Sequence, residues 1–339
     1  MAALDRIIHL RATEKCDLRC KHCFVPPNGS VVEEGQIIDR VETYLSTMQE
    51  GERILLQWHG GEPTLLSPAM VGRVIERLNT FARNRGLCLH HGIQTNLTAL
   101  YKSRENHRSS WIELLKTEFA PDQIGVSFDI GLRGNMAEAI FGFALREIMT
   151  DQGITPWVTM TLARPLYERL MDDPLNLLKR FGRIRGIRFE PLSPQGYALE
   201  NWDEIGIDHA QRCGAMIQVL NAWWPRRSYL PAISPLEEML GSLEGEPSSF
   251  TCLGKPSVVL AEIDRHGAHE HCIALQSQHQ HATIPLSCIQ CEWQKSCRNG
   301  CPALPFLDGN HCRGGAALWQ ACQELLQQSQ TTSTGTDHD

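Results

Sequence analysis

The sequence predicts an α/β fold, a partial (β/α)6 TIM-like barrel followed by a small cysteine-rich domain. Six short runs rich in Ile, Leu, Val and Phe alternate with five longer stretches in which apolar residues recur at helical spacing. This order predicts a parallel sheet with helices on its outside. A closed barrel of eight units needs about 250 residues. The alternating region ends near residue 192, so we expect an open barrel of six strands.

The individual elements follow from these patterns. The predicted strands are 6–10, 53–58, 88–93, 123–128, 155–162 and 186–192. The predicted helices are 32–48, 67–83, 110–119, 136–149 and 172–181. In the second helix, Ser67 followed by Pro68 is a typical start, with Ser as N-cap and Pro at the first helical position.

The pattern divides the chain into four regions. We expect the barrel over residues 1–200, a helical bridging region over 201–248 and the cysteine-rich domain over 249–327. The cysteine-rich domain has little aliphatic core of its own, and such a module needs metal to fold. Helix is expected over 316–327. Residues 328–339 consist largely of Gln, Ser, Thr and Gly and are expected to be disordered.

Composition limits the classes of function. The 339 residues carry a net charge of −7, so no basic field favours nucleic acid or an anionic membrane. No apolar run approaches the roughly 18 to 20 residues that span a bilayer, and the N-terminus is not a signal peptide. We therefore expect a cytoplasmic protein. Thirteen cysteines in a reducing compartment indicate metal ligation rather than disulfides.

Three of these cysteines follow the first predicted strand directly, at the end of the barrel where active sites form. Cys16, Cys20 and Cys23 have the unequal spacing that can hold three irons of a cubane cluster and leave the fourth iron open. The alternative is a zinc site, which normally takes four ligands. No fourth cysteine follows at short range, although His22 is adjacent.

The second predicted strand ends in Gly60-Gly61-Glu62-Pro63. Two glycines at a strand end let the backbone approach a ligand closely, and the carboxylate beside them can accept an ammonium group. Alone, this turn is weak evidence for a binding site.

Together, these features resemble the radical SAM superfamily. The three cysteines match its CxxxCxxC motif, and Gly60, Gly61, Glu62 and Pro63 match the motif that holds the amino group of S-adenosylmethionine. Three further strand ends carry residues that match the family: Asn96, then Ser127 with Asp129 near the ribose, then Leu192 near the adenine. The resemblance implies a [4Fe–4S] cluster that cleaves S-adenosylmethionine and yields a 5′-deoxyadenosyl radical.

The second group of cysteines resembles the SPASM extension of this family, which implies two auxiliary [4Fe–4S] clusters and three clusters in all. By position, the distal cluster takes Cys288, Cys291, Cys297 and Cys312. The nearer cluster takes Cys252, Cys272 and Cys301. The nearer cluster is then one ligand short, and either keeps an open iron or recruits Cys213. Cys322 is a rival to Cys312, and Cys88 is expected in the core.

The resemblance further implies an oxidoreductase that modifies a ribosomally made peptide by crosslinking or oxidising side chains. Ile273, directly after Cys272, argues against the alternative of a sulfatase-maturating enzyme, and a small-molecule radical SAM enzyme is a third possibility. Glu190, expected to face the barrel interior, is the first candidate for a catalytic base. Asp264 is the second.

The implied partners are a precursor peptide or protein and an external electron donor of flavodoxin or ferredoxin type. Cys16 comes too early for an N-terminal peptide-recognition domain. A leader is therefore expected to bind the barrel edge, the bridging helices or a separate protein, and an exposed strand beside 6–10 is one candidate for such pairing.

Overall fold

The structure is a computed structural model, and it describes residues 4–25, 29–246, 258–270, 286–297, 312 and 315–333. The described strands are β1 Arg6–Thr13, β2 Arg53–Gly60, β3 Cys88–Thr95, β4 Ile124–Ser127, β5 Trp157–Leu162, β6 Gly186–Pro191, β7 Ala232–Ser234, β8 Val259–Ile263 and β9 Ala268–His269. The described helices are α1 Glu34–Leu45, α2 Pro68–Asn84, α3 Thr98–Lys102, α4 Glu105–Thr117, α5 Asn135–Ala144, α6 Arg164–Asp172, α7 Pro174–Lys179, α8 Tyr197–Glu200, α9 Trp202–Ile205, α10 His209–Trp223, α11 Leu236–Leu243, α12 Leu286–Ile289, α13 Gln294–Cys297 and α14 Ala316–Ser333.

All six predicted strands are confirmed, each within three residues of its predicted bounds. The sheet is larger than predicted, because β7, β8 and β9 add three strands in the described residues. The sheet order is β7-β6-β5-β4-β3-β2-β1-β8-β9, and every pair is parallel except β8 with β9. β7 and β9 have two or three residues each, too few for an alternating pattern to stand out.

One face of this sheet packs against the helices. Along β1 and β2, Ile8, Leu10, Ile54, Leu56 and Trp58 are buried in one core cluster with apolar residues of the surrounding helices. The six first strands lie side by side in chain order, and right-handed crossovers in one direction place all their helices on the same face. The other face, called here the inner face, is therefore left without these helices.

The inner face is polar. Its residues alternate with the buried ones and share register across the strands, as in the pairs His9 with Gln57 and Thr161 with Glu190. The partly buried polar members on the first six strands are His9, Arg11, Arg53, Gln57, His59, His90, Gln94, Ser127, Thr159, Thr161, Arg188 and Glu190, and Ile7, Leu55 and Trp157 are apolar members. Such a surface suits a polar ligand held against the sheet.

Two expectations about β1 and β3 were wrong. β1 has no free edge for a peptide, because β8 pairs with it from Arg6 to Leu10 on the side opposite β2. Cys88 is not a core residue. It is the exposed first residue of β3, on the face opposite the helices, with its Sγ 3.4 Å from His90 Nε2.

The C-terminal helix is longer than the sequence predicted. α14 continues to Ser333, so residues 328–333 are helical and not disordered. Leu325 and Leu326 pack on the core, and the indole of Trp224 donates to Ser329 Oγ at 3.3 Å, which holds this extension against the bridging region. Within the described ranges, none of the helices combines the length and apolarity needed to cross a membrane.

Candidate active site

The loop that carries the three cysteines, residues 14–25, is held by the end of β2. Gly61 N donates to Thr13 O and Glu62 N donates to Lys15 O, both at 2.7 Å. The two glycines make this approach possible, because a Cβ on Gly60 would lie 2.5 Å from Thr13 O and one on Gly61 would lie 2.1 Å from Lys15 O. The absence of a Cβ at Gly60 and Gly61 therefore lets the end of β2 lie directly against the start of the cysteine loop. This role is additional to the predicted close approach of the backbone to a ligand.

The same loop is bonded to two other strand ends. Lys21 N donates to the carbonyl of Leu132, beyond β4, at 2.9 Å. Tyr197 N, beyond β6, donates to Cys23 O at 2.9 Å, and Asn201 Nδ2 donates to Lys21 O at 3.2 Å. The cysteine loop is thus fixed by backbone contacts from three separate strand ends.

Glu62 is a buried carboxylate surrounded by hydrogen-bond donors. Its side chain is 1% exposed, and Oε1 accepts from Thr64 N, Thr64 Oγ1 and Thr95 Oγ1 at 2.6 to 3.0 Å. Oε2 accepts a single bond, from Asn96 N at 2.7 Å. Burial raises the pKa of Glu62, while these donors lower it. Within the described part of the chain no cation pairs with this carboxylate, so Oε2 can accept another charged donor.

Asn96 connects Glu62 to the cysteine loop. Its side-chain Nδ2 donates to Asp17 Oδ1 at 3.0 Å and lies 3.8 Å from Cys16 Sγ, and its Oδ1 accepts from Thr98 N at 2.8 Å. Asn96, beyond β3, therefore meets the first cysteine directly, and Glu62, at the end of β2, is joined to it through Asn96.

Asp129 forms a second connection to the loop, from the end of β4. Its buried carboxylate binds Arg133 Nε at 2.5 Å, accepts from Thr161 N at 2.5 Å and lies 3.4 Å from His22 Nε2. Asp129 has a lowered pKa despite its burial, chiefly because of the Arg133 guanidinium. Burial lowers the pKa of His22 to about 4, so its imidazole is neutral at pH 7. His22 Nδ1 is buried without a hydrogen-bond partner among the described residues.

The three thiols share one electrostatic environment. Burial raises the pKa of Cys16 to about 11 and of Cys20 to about 12, and it raises the pKa of Cys23 as well. Cys16 and Cys23 each raise the pKa of Cys20, so their sulfurs lie within electrostatic range of it. The guanidinium of Arg133 acts in the opposite direction and lowers the pKa of both Cys20 and Cys23. A metal cluster would replace the thiol protons and compensate the buried charge.

The donor set fits an iron–sulfur cluster. The cysteine loop carries the thiols of Cys16, Cys20 and Cys23, and the guanidinium of Arg133 lies near them. The loop also carries His22, whose Nδ1 has no hydrogen-bond partner among the described residues. Thiolates are the usual protein ligands of such clusters. Across the described residues, no group of three His, Cys, Asp or Glu side chains is gathered closely enough to hold a single metal ion.

The other predicted cofactor residues lie around the same loop. Pro63 is buried and begins a 3₁₀ turn, Pro63–Leu65. Ser127 Oγ accepts from Gln94 Nε2 at 2.6 Å on the inner face. Leu192 is buried in a small apolar cluster that includes Leu132, whose carbonyl binds the cysteine loop.

The two candidate bases differ in their surroundings. Glu190 lies on the inner face beside Thr161, and burial raises its pKa while Arg188 lowers it. Asp264 Oδ1 accepts from His266 N at 2.7 Å and from Gly267 N at 3.1 Å, which makes it part of the turn between β8 and β9. Asp264 therefore has a local structural task that the sequence did not reveal.

The auxiliary cysteines are only partly described. Cys252, Cys272 and Cys301 lie outside the described residues. Cys288 and Cys297 are buried, and Cys291 and Cys312 are partly buried. Cys322 is fully buried in the main core cluster.

Sequence reasoning did not predict the contacts made by several residues of this site. Thr95, Asp17 and His22 form its hydrogen-bond network, and Arg133 supplies its buried cation. Their positions within or beside the motifs were a usable signal. Their partners were not, because each contact joins residues from different strand ends.

The fold is similar to that of radical SAM enzymes, which confirms at the level of fold the resemblance predicted from the motifs. The anaerobic sulfatase-maturating enzyme anSMEcpe, a radical SAM/SPASM enzyme solved with bound AdoMet and Kp18Cys peptide, superposes with a TM-score of 0.68 at 13% identity, over 96% of this chain and 98% of that one. Streptococcus suis SuiB bound to S-adenosylmethionine superposes with a TM-score of 0.55 at 15% identity, over 89% of this chain and 74% of SuiB.

SuiB bound to its precursor peptide SuiA gives a TM-score of 0.54 at 15% identity, over 89% of this chain and 72% of that one. No family model matches the sequence. No curated protein matches it either.

Proposed function

We propose that this chain is a radical SAM/SPASM oxidoreductase that modifies a ribosomally made peptide, by crosslinking or oxidising its side chains. Cys16, Cys20 and Cys23 would hold a [4Fe–4S] cluster at the end of the sheet. With S-adenosylmethionine bound, that cluster supplies the reductive cleavage that produces a hydrogen-abstracting radical.

The observation that carries this proposal is the linkage from Glu62 through Asn96 to Cys16. Glu62 has a buried carboxylate oxygen with room for one more donor, and Asn96 joins that carboxylate to the cysteine loop. An ammonium group bound at Oε2 would neutralise the buried charge. A ligand bearing an amino group is therefore favoured next to the first cysteine.

The remaining residues orient the ligand and balance charge. Arg133 places a buried positive charge beside the thiols, and Asp129 holds that guanidinium and faces His22. Ser127 and Asp129 are proposed near a ribose, and the apolar cluster around Leu192 near an adenine ring. The backbone contacts of the loop keep these groups in place without rearrangement.

The inner face is the proposed position of the peptide. His9 Nδ1 and Thr159 Oγ1 are buried there without hydrogen-bond partners among the described residues, so they can bind a polar substrate. Glu190 lies on the same face, and its raised pKa suits a group that takes up a proton. Two auxiliary clusters would accept the substrate electron, and an external flavodoxin- or ferredoxin-like donor would reduce the first cluster.

The test uses the full chain, reconstituted anaerobically with iron and sulfide. We expect about twelve irons per chain and formation of 5′-deoxyadenosine on reduction with S-adenosylmethionine. Glu62→Gln should bind S-adenosylmethionine at least about tenfold more weakly, because it exchanges a charged acceptor for an amide. Its iron content should not change.

Glu52→Gln is the matched control, since Glu52 stands before β2 and Glu62 follows it. This control should leave binding unchanged. A reconstituted chain that binds iron but never forms 5′-deoxyadenosine would contradict the proposal, as would normal cleavage by Glu62→Gln.

Sulfatase maturation is the second candidate. The superposition with anSMEcpe extends over nearly the whole of both chains, which favours it. Ile273 after Cys272 argues against it. The two candidate functions are separated by incubating the enzyme with a cysteine-containing sulfatase peptide and with precursor peptides encoded by neighbouring genes. If the enzyme matures sulfatases, mass spectrometry should show formylglycine in the sulfatase peptide. If it matures a ribosomal peptide, only a precursor peptide should change mass. Turnover of neither peptide class would favour a small-molecule substrate.

A further inference from the structure

Two cysteines from distant parts of the chain meet at the start of α14. Cys213 lies on α10 in the bridging region, and Cys312 precedes α14. A Cβ built on Gly315 would lie 3.3 Å from Cys213 Sγ, and Ala316 N donates to Cys312 Sγ at 3.4 Å. Both thiols therefore face the first turn of the same helix.

His209 lies within hydrogen-bond distance of the Cys213 sulfur. Its Nδ1 is in contact with the guanidinium of Arg212, which can only donate, so Nδ1 accepts and the imidazole proton is on Nε2. Nε2 lies 3.4 Å from Cys213 Sγ and donates toward it. Such a hydrogen bond orients and tunes a ligand sulfur in a metal centre.

Cys312 has a comparable environment. Its sulfur accepts from the backbone N–H of Ala316, the first residue of an 18-residue helix. Gly315, with φ of +79°, leaves the space that Cys213 Sγ occupies. The packing of α14 on α10 thus holds both sulfurs beside the first turn of α14.

We propose that Cys213 and Cys312 are ligands of the same auxiliary iron–sulfur cluster, with His209 as hydrogen-bond donor to the Cys213 sulfur. The inference rests on the proposed function and changes its ligand assignment. The sequence resemblance placed Cys312 on the distal cluster and Cys213, if used, on the nearer one. The remaining ligands of the shared cluster would come from other cysteines of residues 249–327.

The chemistry of the donors supports a cluster. A cubane takes one thiolate at each iron, so its ligands do not converge on one point as they do around a single ion. Two thiols and an imidazole donor are too few for a single-ion site, which agrees with the lack of a three-ligand group in the described residues.

The experiment counts auxiliary iron alone. In a full-length background with Cys16, Cys20 and Cys23 all changed to Ala, about eight irons per chain should remain. Cys213→Ala and Cys312→Ala should each lose about four irons, or give the EPR signal of a [3Fe–4S] cluster. The double variant should lose no more than about four irons, the content of one cluster, because both changes affect the same cluster.

Cys322→Ala is the matched control. Cys322 lies on α14 and is buried in the main core cluster, which contains neither Cys213 nor Cys312. Its replacement should leave about eight irons. Cys213→Ser serves as a second variant that keeps the polarity of the site. His209→Gln should keep all iron but lower the reduction potential of one auxiliary cluster, since a hydrogen bond to sulfur stabilises the reduced state.

Three results would overturn the inference. One is full iron and an unchanged spectrum in both Cys213 variants. Another is an additive loss in the double variant, which would assign the two cysteines to different clusters. The third is a Cys213–Cys312 disulfide in the iron-loaded protein. Because the background lacks the first cluster, none of these results depends on S-adenosylmethionine cleavage, which tests the proposed function separately in the unmodified chain.

Discussion

The contact between Gly61 and Lys15 gives a quantitative prediction about the cysteine loop. In Gly61→Ala the new Cβ would lie 2.1 Å from Lys15 O and 2.7 Å from its carbonyl carbon. Both neighbours are backbone atoms, so no side-chain rotation relieves the clash. The two segments must separate by about 1 Å to reach ordinary contact.

That separation breaks the backbone bonds that hold the loop. Gly61 N to Thr13 O and Glu62 N to Lys15 O are each 2.7 Å, so neither bond survives a displacement of this size. A buried backbone group left without a partner costs about 1 to 3 kcal/mol, and the two bonds together amount to about 2 to 6 kcal/mol. We expect the loop to lose its fixed geometry while the sheet remains folded.

The assay is iron content and S-adenosylmethionine cleavage after anaerobic reconstitution. Gly61→Ala should retain about eight of about twelve irons and form almost no 5′-deoxyadenosine. Gly142→Ala is the control, because Gly142 lies in α5 with no atom within 4 Å of a built Cβ, and this change should stabilise the protein by about 0.5 to 1 kcal/mol. Full iron content with cleavage within about twofold of normal in Gly61→Ala would refute the reasoning.

Three further changes test other contacts. Arg133→Gln removes the cation that lowers the pKa of Cys20, so iron occupancy of the first cluster should fall most at low pH, and Arg133→Lys should restore most of it. His91 accepts from Trp58 Nε1 at 3.3 Å, and burial lowers its pKa from 6.5 to about 3. His91 alone therefore contributes a loss of stability of up to about 5 kcal/mol as pH falls below 6.5, and burial lowers the pKa of His9, His22 and His59 in the same direction. His91→Gln should reduce the pH dependence of chemical denaturation by that share, whereas an unchanged profile would exclude His91 as one of its sources. Gly315→Ala should lower the Tm, because Gly315 has φ of +79° and faces Cys213 Sγ, and a rise in Tm would contradict that packing.

Hydrophobic pattern was sufficient to predict most of the sheet. Strand 53–58 was found because its apolar residues are consecutive, and it ends two residues later, at Gly60. Glu190 was expected to face the interior because it alternates with Phe189 and Leu192, and β6 has that alternation. These are local signals that need no knowledge of a partner strand.

Two expectations were wrong because tertiary structure decides them. The edge beside β1 was expected to be free because nothing near residue 6 indicates β8. Cys88 has apolar neighbours in sequence, but its position at the start of β3 leaves it exposed. Asp264 was considered as a base because of its position before Cys272, and that role stays a prediction. Its carboxylate accepts hydrogen bonds from the backbone of its own turn, a local contact that the sequence did not indicate.

The candidate site shows the same difference between local signals, which the sequence contains, and tertiary contacts, which it does not. The motifs predicted that Cys16, Glu62 and Asn96 would lie together, since parallel strands end at one edge of a sheet. The proximity of Cys213 to Cys312 could not be predicted, because it depends on how α14 packs against α10. No spacing between residues in the sequence indicates how these two helices pack against each other.

The pairing of β1 with β8 has a consequence for biosynthesis. β1 leaves the ribosome before the other described strands, and β2 covers one of its edges soon afterwards. Its other edge pairs with Val259–Ile263, which are made only after most of the chain has been translated. During that interval the nascent protein exposes an unpaired strand bearing Ile7 and Leu10, and such edges recruit other chains. Ribosome-bound intermediates that end before residue 259 should therefore be the species most dependent on chaperones.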